Sequence, residues 1–261
     1  GMGQVGDGVN DAGSNRYHLM HQIDGSLARL GLDHVDLYQI HGWDPHCGLE
    51  EQLRALEDIV RSGRARYVGI SNWAAWQIAK ALGIEERRGW DGLASVQAFY
   101  AVCSRELERE LVPMMESEGL GLMVWSPLAG GLLTGKYSRG ADGGTVGEGR
   151  RSKFAFPQVD EEAAHACVDA MRPMAERRGV PVPAIALAWL LHQPVVSSEI
   201  VGVSRPDQLE QNLQASGVEL TSEELTVLDG VAPPGPEYPG WMIDGQVGRN
   251  AYRITPRRAK R

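Results

Sequence analysis

Strand-like and helix-like segments alternate along this chain, and five strand-like runs end on or near a polar or aromatic residue. The runs are HVDLYQIH (34–41), ARYVGISN (65–72), ASVQAFY (94–100), GLMVWSP (121–127) and SSEIVGVS (197–204). Helical stretches between them predict parallel pairing through crossover helices, as in α/β folds. In a parallel (β/α)8 TIM barrel the active site lies at the carboxyl ends of the strands. We therefore predict an α/β fold of this barrel type that lacks about the first three βα units.

The chain is long enough to bury the core of one such barrel. Its 261 residues, 43% of them hydrophobic, are close to the usual size of a single barrel domain. We predict one domain over residues 1–261, ending in a Pro/Gly-rich tail at residues 231–261 without periodicity.

Charge and hydropathy argue against two classes of partner. The net charge is −8, and no predicted helix carries a stripe of Lys or Arg, so we expect no nucleic-acid binding. The basic end PRRAKR is interpreted as a solvated tail. No run reaches the ~20 apolar residues of a membrane span, and the N-terminus lacks the apolar core of a signal peptide. We expect no membrane partner.

Three scattered cysteines indicate a reducing compartment. Cys47, Cys103 and Cys167 form neither CxxC pairs nor an even disulfide framework. We expect them to be reduced and the protein to be cytoplasmic.

The predicted helices carry apolar residues at helical spacing. In the first, over residues 14–31, Ser14 is the expected N-cap and Gly31 the stop. Its apolar face is predicted from Leu19, Ile23, Leu27 and Leu30, and that of the second helix from Leu53, Leu56, Ile59 and Val60. The segment Ser126–Pro157 is longer than an ordinary βα loop, and we expect it to fold over a ligand.

Two nucleotide motifs and one possible metal cluster lack the context that they require. GMGQVG at positions 1–6 fits GxGxxG, but no strand precedes it. Gly130–Lys136 fits GxxxxGK, yet Tyr137 replaces the Ser or Thr that holds magnesium, although Lys136 can still serve a phosphate as a point charge. His41, His46 and Cys47 lack a fourth ligand, so we expect no metal.

Five blocks in order resemble the signature segments of the aldo-keto reductases, from about Gly13 to about Asp229. They are SLARLGLDHVDLYQIHGWDP, GRARYVGISNWAAWQI, VQAFYAVCSRELERELVP, VWSPLAGGLLTGKY and GVSRPDQLEQNL. The resemblance implies a β/α barrel without a Rossmann fold. It also implies that NADP(H) binds in an extended pose at the strand ends, and that hydride is transferred to an aldehyde or ketone.

The resemblance gives two residues roles at the substrate. His41 matches the histidine that donates a hydrogen bond to the substrate carbonyl oxygen, where negative charge grows as hydride arrives. Trp43 would line the substrate mouth. Without the resemblance, His41 also fits a satisfied strand-end histidine and Trp43 fits ordinary packing.

The nicotinamide end of the cofactor is assigned on the same basis. Ser71, Asn72 and Gln97 match the residues that hold the carboxamide, and an amide side chain offers both a donor and an acceptor for that task. Trp125 matches the aromatic residue on which the nicotinamide stacks. Taken alone, Asn72 and Gln97 fit strand-end turn residues equally well, and Trp125 fits a core tryptophan.

The phosphate and adenosine ends complete the predicted cofactor site. The loop under the pyrophosphate matches Ser126, Pro127, Leu128, Ala129 and Gly130, with Lys136 adding positive charge. The adenosine end matches Gly202, Ser204, Arg205, Gln208, Gln211 and Asn212. Ser204 and Arg205 stand at a helix start, which favours a 2′-phosphate, and Arg205 favours NADP over NAD. The alternative is a helix cap with a solvated face.

The family's catalytic tyrosine, lysine and aspartate find no match in this chain. By strand alternation Tyr38 and Tyr100 face away from His41 and Gln97, and Tyr17 lies on a helix, so no proton donor is assigned. Three βα units amount to roughly 90 residues, and we expect the working protein to be longer by about that much.

Two functions follow from the resemblance. The first is an NADP(H)-dependent reductase of a small-molecule aldehyde or ketone, in full-length form. The alternative is a catalytically silent NADP(H)-binding regulatory subunit resembling the potassium-channel β subunits, which carry an asparagine where His41 stands. His41 favours the enzyme, while a third reading takes the chain as written to be inactive. The natural substrate and oligomeric state are not indicated.

Overall fold

A parallel sheet of five strands, in the order β1-β2-β3-β4-β7, organises the chain. The computed structural model describes residues 5–140, 145–147, 149, 151 and 154–250, without the side chains of 244 and 247–250. The sheet strands are β1 (Val35–Ile40), β2 (Ala65–Ser71), β3 (Leu93–Phe99), β4 (Gly121–Trp125) and β7 (Val196–Ile200). Two short strands, β5 (Ser138–Arg139) and β6 (Thr145–Val146), form a separate antiparallel pair.

Helices connect and flank these strands. They are α1 (Arg16–Leu30), α2 (Leu49–Arg61), α3 (Ala75–Arg88), α4 (Leu111–Glu118), α5 (Glu161–Arg178), α6 (Val182–Leu191), α7 (Pro206–Leu213), α8 (Ser222–Val231) and α9 (Gly240–Asn250). Short 3-10 turns lie at Glu106–Glu108, Ala129–Thr134 and Gln214–Gly217. The predicted parallel α/β architecture is confirmed. The barrel is not closed in the described part of the chain, where β1 and β7 are the edge strands.

The two faces of the sheet differ in chemistry because side chains alternate along a strand. The face toward the helices is apolar and buried, and includes Ile40, Val68, Ile70, Val96, Leu122 and Val124. Tyr38 packs against this core, as strand alternation predicts. The opposite face carries Gln39, Ser71, Ser95, Gln97, Met123 and Ser198. The polar face and the carboxyl ends of the strands are therefore available for a site.

The N-terminus of α1 differs from the prediction by one residue. Asn15, not Ser14, is the N-cap, and its Oδ1 accepts a hydrogen bond from the His18 N–H at 2.9 Å. The Ser14 N–H instead donates to Asp44 Oδ2 at 2.7 Å, which ties the start of the helix to the loop after β1. Leu19, Ile23 and Leu27 are buried as expected, whereas Leu30 is 60% exposed because it lies in the last turn, beyond the core.

Two C-terminal helices were absent from the sequence prediction. Thr221 and Glu224 form a capping box that starts α8, a signal that the sequence contained. The helix α9 lies in the Pro/Gly-rich tail in which the sequence shows no periodicity. Residues 251–261, with the basic end, lie outside the described residues.

Glu85 is a buried acid of α3 that contacts the start of β3. Its side chain is 4% exposed, and Oε2 accepts a hydrogen bond from the Leu93 N–H at 3.2 Å. The pKa of this carboxyl is raised to about 7, chiefly by burial and also by the neighbouring Glu57 charge, against the opposing effect of the Leu93 hydrogen bond. The folded protein therefore holds the proton at pH values where the unfolded chain has released it.

The replacement Glu85→Gln is expected to stabilise the protein at pH 8 but not at pH 4.5. Between these values the wild type loses stability, because its unfolded state loses the proton first and the folded state keeps it up to about pH 7. The full effect above pH 7 is about 3 kcal/mol. Urea unfolding of both proteins at the two pH values measures it.

Glu86→Gln is the matched control, because Glu86 neighbours Glu85 on the same helix but is exposed. It should shift the unfolding midpoint little at either pH. A stability difference between Glu85→Gln and wild type that does not change with pH would contradict the account.

Candidate functional site

The predicted strand-end residues lie on adjacent strands. His41 follows β1 directly, Ser71 ends β2 and Trp125 ends β4. Gln97 is paired in register with Ser71 and lies two residues before the end of β3. Since neighbouring strands are parallel, these residues share one edge of the sheet.

Asn72 links the ends of two strands that are not neighbours in the sheet. Its Nδ2 donates to the His41 carbonyl oxygen at 3.0 Å, and its Oδ1 accepts from Trp125 Nε1 at 3.0 Å. The backbone of Asn72 adopts a positive φ of 57°, which asparagine tolerates better than most residues. One amide therefore fixes the His41 backbone and the Trp125 ring together.

Gln97 is held by a residue that the sequence prediction missed. Its Nε2 donates to Gln39 Oε1 at 2.8 Å, across the intervening strand β2. Gln39 Nε2 in turn lies 3.4 Å from Ser95 Oγ and 3.7 Å from Met123 Sδ. The signal for Gln39 was present in the sequence, since it stands two residues before His41 and so points to the same face.

Ser71 carries an unused hydrogen-bonding group. Its side chain is buried, and within the described part of the chain Oγ has no hydrogen-bond partner. A buried hydroxyl without a partner costs free energy, so this oxygen is available to a ligand. Each end of the Asn72 amide also keeps one further donor or acceptor position beyond the bonds already described.

Two phenylalanines contact the Trp125 ring. Phe99 is 5.0 Å away between ring centroids, and Phe156 lies parallel to Trp125 at 5.5 Å with an interplanar angle of 3°. Phe156 belongs to the long segment after β4 that was expected to cover a ligand, and it is 42% exposed. The Trp125 face thus accepts a flat partner, and Phe156 occupies that place in this structure.

The loop from Ser126 to Gly130, predicted to lie under the pyrophosphate, uses two of its N–H groups for hydrogen bonds within the loop. The N–H groups of Ala129 and Gly130 donate to the carbonyl and Oγ of Ser126, at 2.8 and 3.1 Å. These groups are therefore not free to hold a pyrophosphate in this conformation. Pro127 has no N–H and is buried, while Leu128 packs against a small apolar cluster.

Lys136 remains available beside this loop. Its side chain is exposed and Nζ lies 4.9 Å from the centroid of the Tyr137 ring. The same nitrogen is 3.9 Å from the place that a Cβ on Gly131 would occupy, so the charge stands at the turn itself.

The segment predicted for the adenosine end starts α7. Arg205 pairs with Asp207, with Nε and Nη2 at 2.9 and 3.0 Å from the two carboxylate oxygens. The Ser204 N–H and Oγ both bind Gln208 Oε1. Gly202 and Gln211 are exposed, whereas Asn212 is buried and faces the protein interior.

An apolar cluster joins this segment to the loop after β4. Leu128 and Val201 both pack against the buried cluster of Ala184, Leu187 and Ala215. The paired strands β4 and β7 also end side by side, at Trp125 and Ile200. The nicotinamide and adenosine parts of the predicted site therefore flank one another.

Three tryptophans cluster next to His41. The rings of Trp43 and Trp73 meet edge to face at 4.8 Å, and Trp43 and Trp76 lie 6.1 Å apart. Trp73 is 3% exposed, whereas Trp76 is 62% exposed. Trp43, predicted to line the substrate mouth, is half-buried within an aromatic wall.

Tyr100 and Cys47 make contacts of their own outside the strand-end group described above. Tyr100 is buried and its hydroxyl donates to Glu108 Oε1 at 2.5 Å. Burial raises the pKa of the Cys47 thiol to about 11, and its Sγ lies 3.5 Å from the Ser14 carbonyl oxygen.

In the described ranges no three His, Cys, Asp or Glu side chains group closely enough for a metal ion. Nor do those ranges contain a helix long and apolar enough to cross a membrane.

Comparison with known proteins identifies the family. The sequence profile of the Aldo/keto reductase family matches residues 4–233, so the chain belongs to that family. The chain is 33% identical over 242 residues to the versiconal hemiacetal acetate reductase of Aspergillus parasiticus, covering 92% of this chain and 69% of that protein.

Relatives of two kinds are similar to the same extent. The uncharacterized oxidoreductase YrpG of Bacillus subtilis is 35% identical over 235 residues, covering 89% of this chain and 70% of that protein. A protein of Arabidopsis thaliana named "Probable voltage-gated potassium channel subunit beta" is 35% identical over 244 residues, covering 90% of this chain and 73% of its own length. The family thus includes proteins named as oxidoreductases and proteins named as channel subunits.

Proposed function

We propose that this chain binds NADP(H) along the carboxyl ends of its strands and serves in the reduction of an aldehyde or ketone to an alcohol. The observation that carries the proposal is the Asn72 amide, which holds the His41 backbone and the Trp125 ring in one constellation. Family membership supports the same reading.

The residues present fit a nicotinamide carboxamide. Ser71 Oγ is buried without a partner in the described residues. Gln97 Nε2 donates to Gln39, so the Oε1 of Gln97 can accept a hydrogen bond from the ligand. Trp125 offers its flat ring once Phe156 moves aside. Lys136 and Arg205 would meet the phosphates as positive charges.

Bound NADPH would supply the hydride. His41 is exposed at the strand end, and in the proposed reaction its ring donates a hydrogen bond to the substrate carbonyl oxygen as negative charge develops there. Trp43 excludes water from that oxygen and presents an apolar surface to the substrate. The proton that completes the alcohol is not assigned to any described residue.

Arg205→Ala is expected to weaken NADP+ binding by about 10- to 100-fold and to leave NAD+ binding unchanged. A charge-assisted contact to the 2′-phosphate is worth about 1.5–3 kcal/mol, and NAD+ lacks that phosphate. Arg205 is exposed, so its release from Asp207 costs little. Quenching of tryptophan fluorescence by each nucleotide gives the dissociation constants.

Arg87→Ala is the matched control, since Arg87 is an exposed arginine near the end of α3. It lies just before the start of β3, and therefore away from the carboxyl ends of the strands. It should bind both nucleotides as the wild type does. An equal loss of NADP+ and NAD+ affinity in Arg205→Ala would contradict the proposed 2′-phosphate contact.

Turnover separates a reductase from a silent binding subunit. The complete protein is expected to consume NADPH in the presence of an aromatic aldehyde, measured as loss of nicotinamide absorbance.

His41→Asn should lower kcat at least about tenfold with an unchanged dissociation constant for NADPH, because it weakens a donor to the transition state only. Binding without turnover in the wild type would favour the channel-subunit alternative, which the named relative raises.

A further inference from the structure

We propose that Gln39 is a positioning residue that fixes the amide orientation of Gln97, so that Gln97 Oε1 faces the ligand and selects a ring substituent that can donate an N–H. The proposal rests on the proposed function, because the ligand group concerned is the carboxamide of a nicotinamide nucleotide.

The first step is geometric. Gln39 lies on β1 and Gln97 on β3, and β2 separates them. Gln39 crosses β2 above Gly69, where a Cβ would stand 3.1 Å from Gln39 Nε2, 2.5 Å from Ser95 Oγ and 2.8 Å from the Ser95 carbonyl oxygen. A side chain at this position would press on Ser95 and crowd Gln39 Nε2, so glycine keeps the path of Gln39 across β2 open.

The second step determines which end of the Gln39 amide points which way. Its far neighbours are Ser95 Oγ and Met123 Sδ, at 3.4 and 3.7 Å. A serine hydroxyl can donate or accept, but a thioether sulfur can only accept. Met123 therefore favours the NH2 group at that end and leaves Gln39 Oε1 pointing toward Gln97.

The third step transfers this orientation to Gln97. Because Gln39 presents an oxygen, Gln97 must present its NH2 group, and the 2.8 Å bond has this polarity. The Gln97 Oε1 then points away from Gln39 as an acceptor. The contacts run from Met123 to Gln39 and from Gln39 to Gln97. Because the Met123 sulfur can only accept, Gln97 presents an acceptor oxygen to the site.

The consequence is a preference among pyridine nucleotides. A carboxamide NH2 can donate to Gln97 Oε1, whereas the acetyl group of 3-acetylpyridine adenine dinucleotide phosphate has no N–H to donate. Leaving an oriented acceptor unpaired costs roughly a factor of ten in binding. We expect the wild type to bind NADP+ about tenfold more tightly than the acetyl analogue.

The test compares both dinucleotides with the wild type and with Gln39→Leu and Gln39→Glu by tryptophan fluorescence titration. Gln39→Leu should bind both with nearly equal affinity, because Gln97 can then turn either end to the ligand. Gln39→Glu should keep the preference, since a carboxylate still accepts from Gln97 Nε2. Recovery by this conservative variant distinguishes positioning from general packing.

Met123→Leu provides a second variant if Gln39→Leu fails to fold. It conserves volume and removes the sulfur acceptor, so the preference should fall while the fold is kept. An unchanged preference in every variant that removes the Gln39 or Met123 contact would overturn the positioning role of Gln39 and leave the proposed function standing. Failure of the wild type to bind either dinucleotide would overturn the proposed function and this inference with it.

Discussion

Parallel hydrogen bonding between neighbouring strands determines where the central site residues lie. Each strand of the sheet runs in the same direction, so His41, Ser71 and Trp125 reach one edge although long stretches of sequence separate them. Alternation then assigns apolar side chains to the helices and polar ones to the opposite face. A shift of one residue in any strand would exchange the two sets and destroy both the core and the site.

Contacts between strands add the precision that pairing alone does not provide. The Asn72 amide connects the end of β1 to the end of β4, and Gln39 connects β1 to β3 over Gly69. Both contacts use an amide whose two ends are chemically different. Each therefore fixes an orientation as well as a distance, as recognition of a carboxamide requires.

The sequence predicted the order of the five sheet strands and of the helices between them, because strand and helix periods alternate clearly, but the last predicted strand continued beyond Ile200, where β7 ends. It failed where a tertiary contact overrides a local signal. Ser14 looked like the cap of α1, but its N–H is bound by Asp44 thirty residues later, and Asn15 takes the cap. The segment that forms α9 is rich in Gly and Pro, so local propensity argued against a helix there.

The contacts among the predicted site residues could not be read from the sequence. The family blocks pointed to Asn72, Gln97 and Trp125, yet no spacing rule shows that Phe156 covers the Trp125 ring or that Ser126 engages the N–H of Gly130. These contacts depend on how the long segment after β4 folds back over the strand ends. Sequence periodicity carries no information about such a return.

The central claim is that one ligand site spans the strand ends, and selective 15N labelling of tryptophan tests it most directly. Addition of NADP+ is expected to shift the indole resonance of Trp125, assigned with Trp125→Phe, because its Nε1 is bonded to Asn72 beside the proposed nicotinamide. The indole of Trp189, bonded to Asp229 in the helical layer, should not move. A saturable change at Trp189 with none at Trp125 would contradict the account.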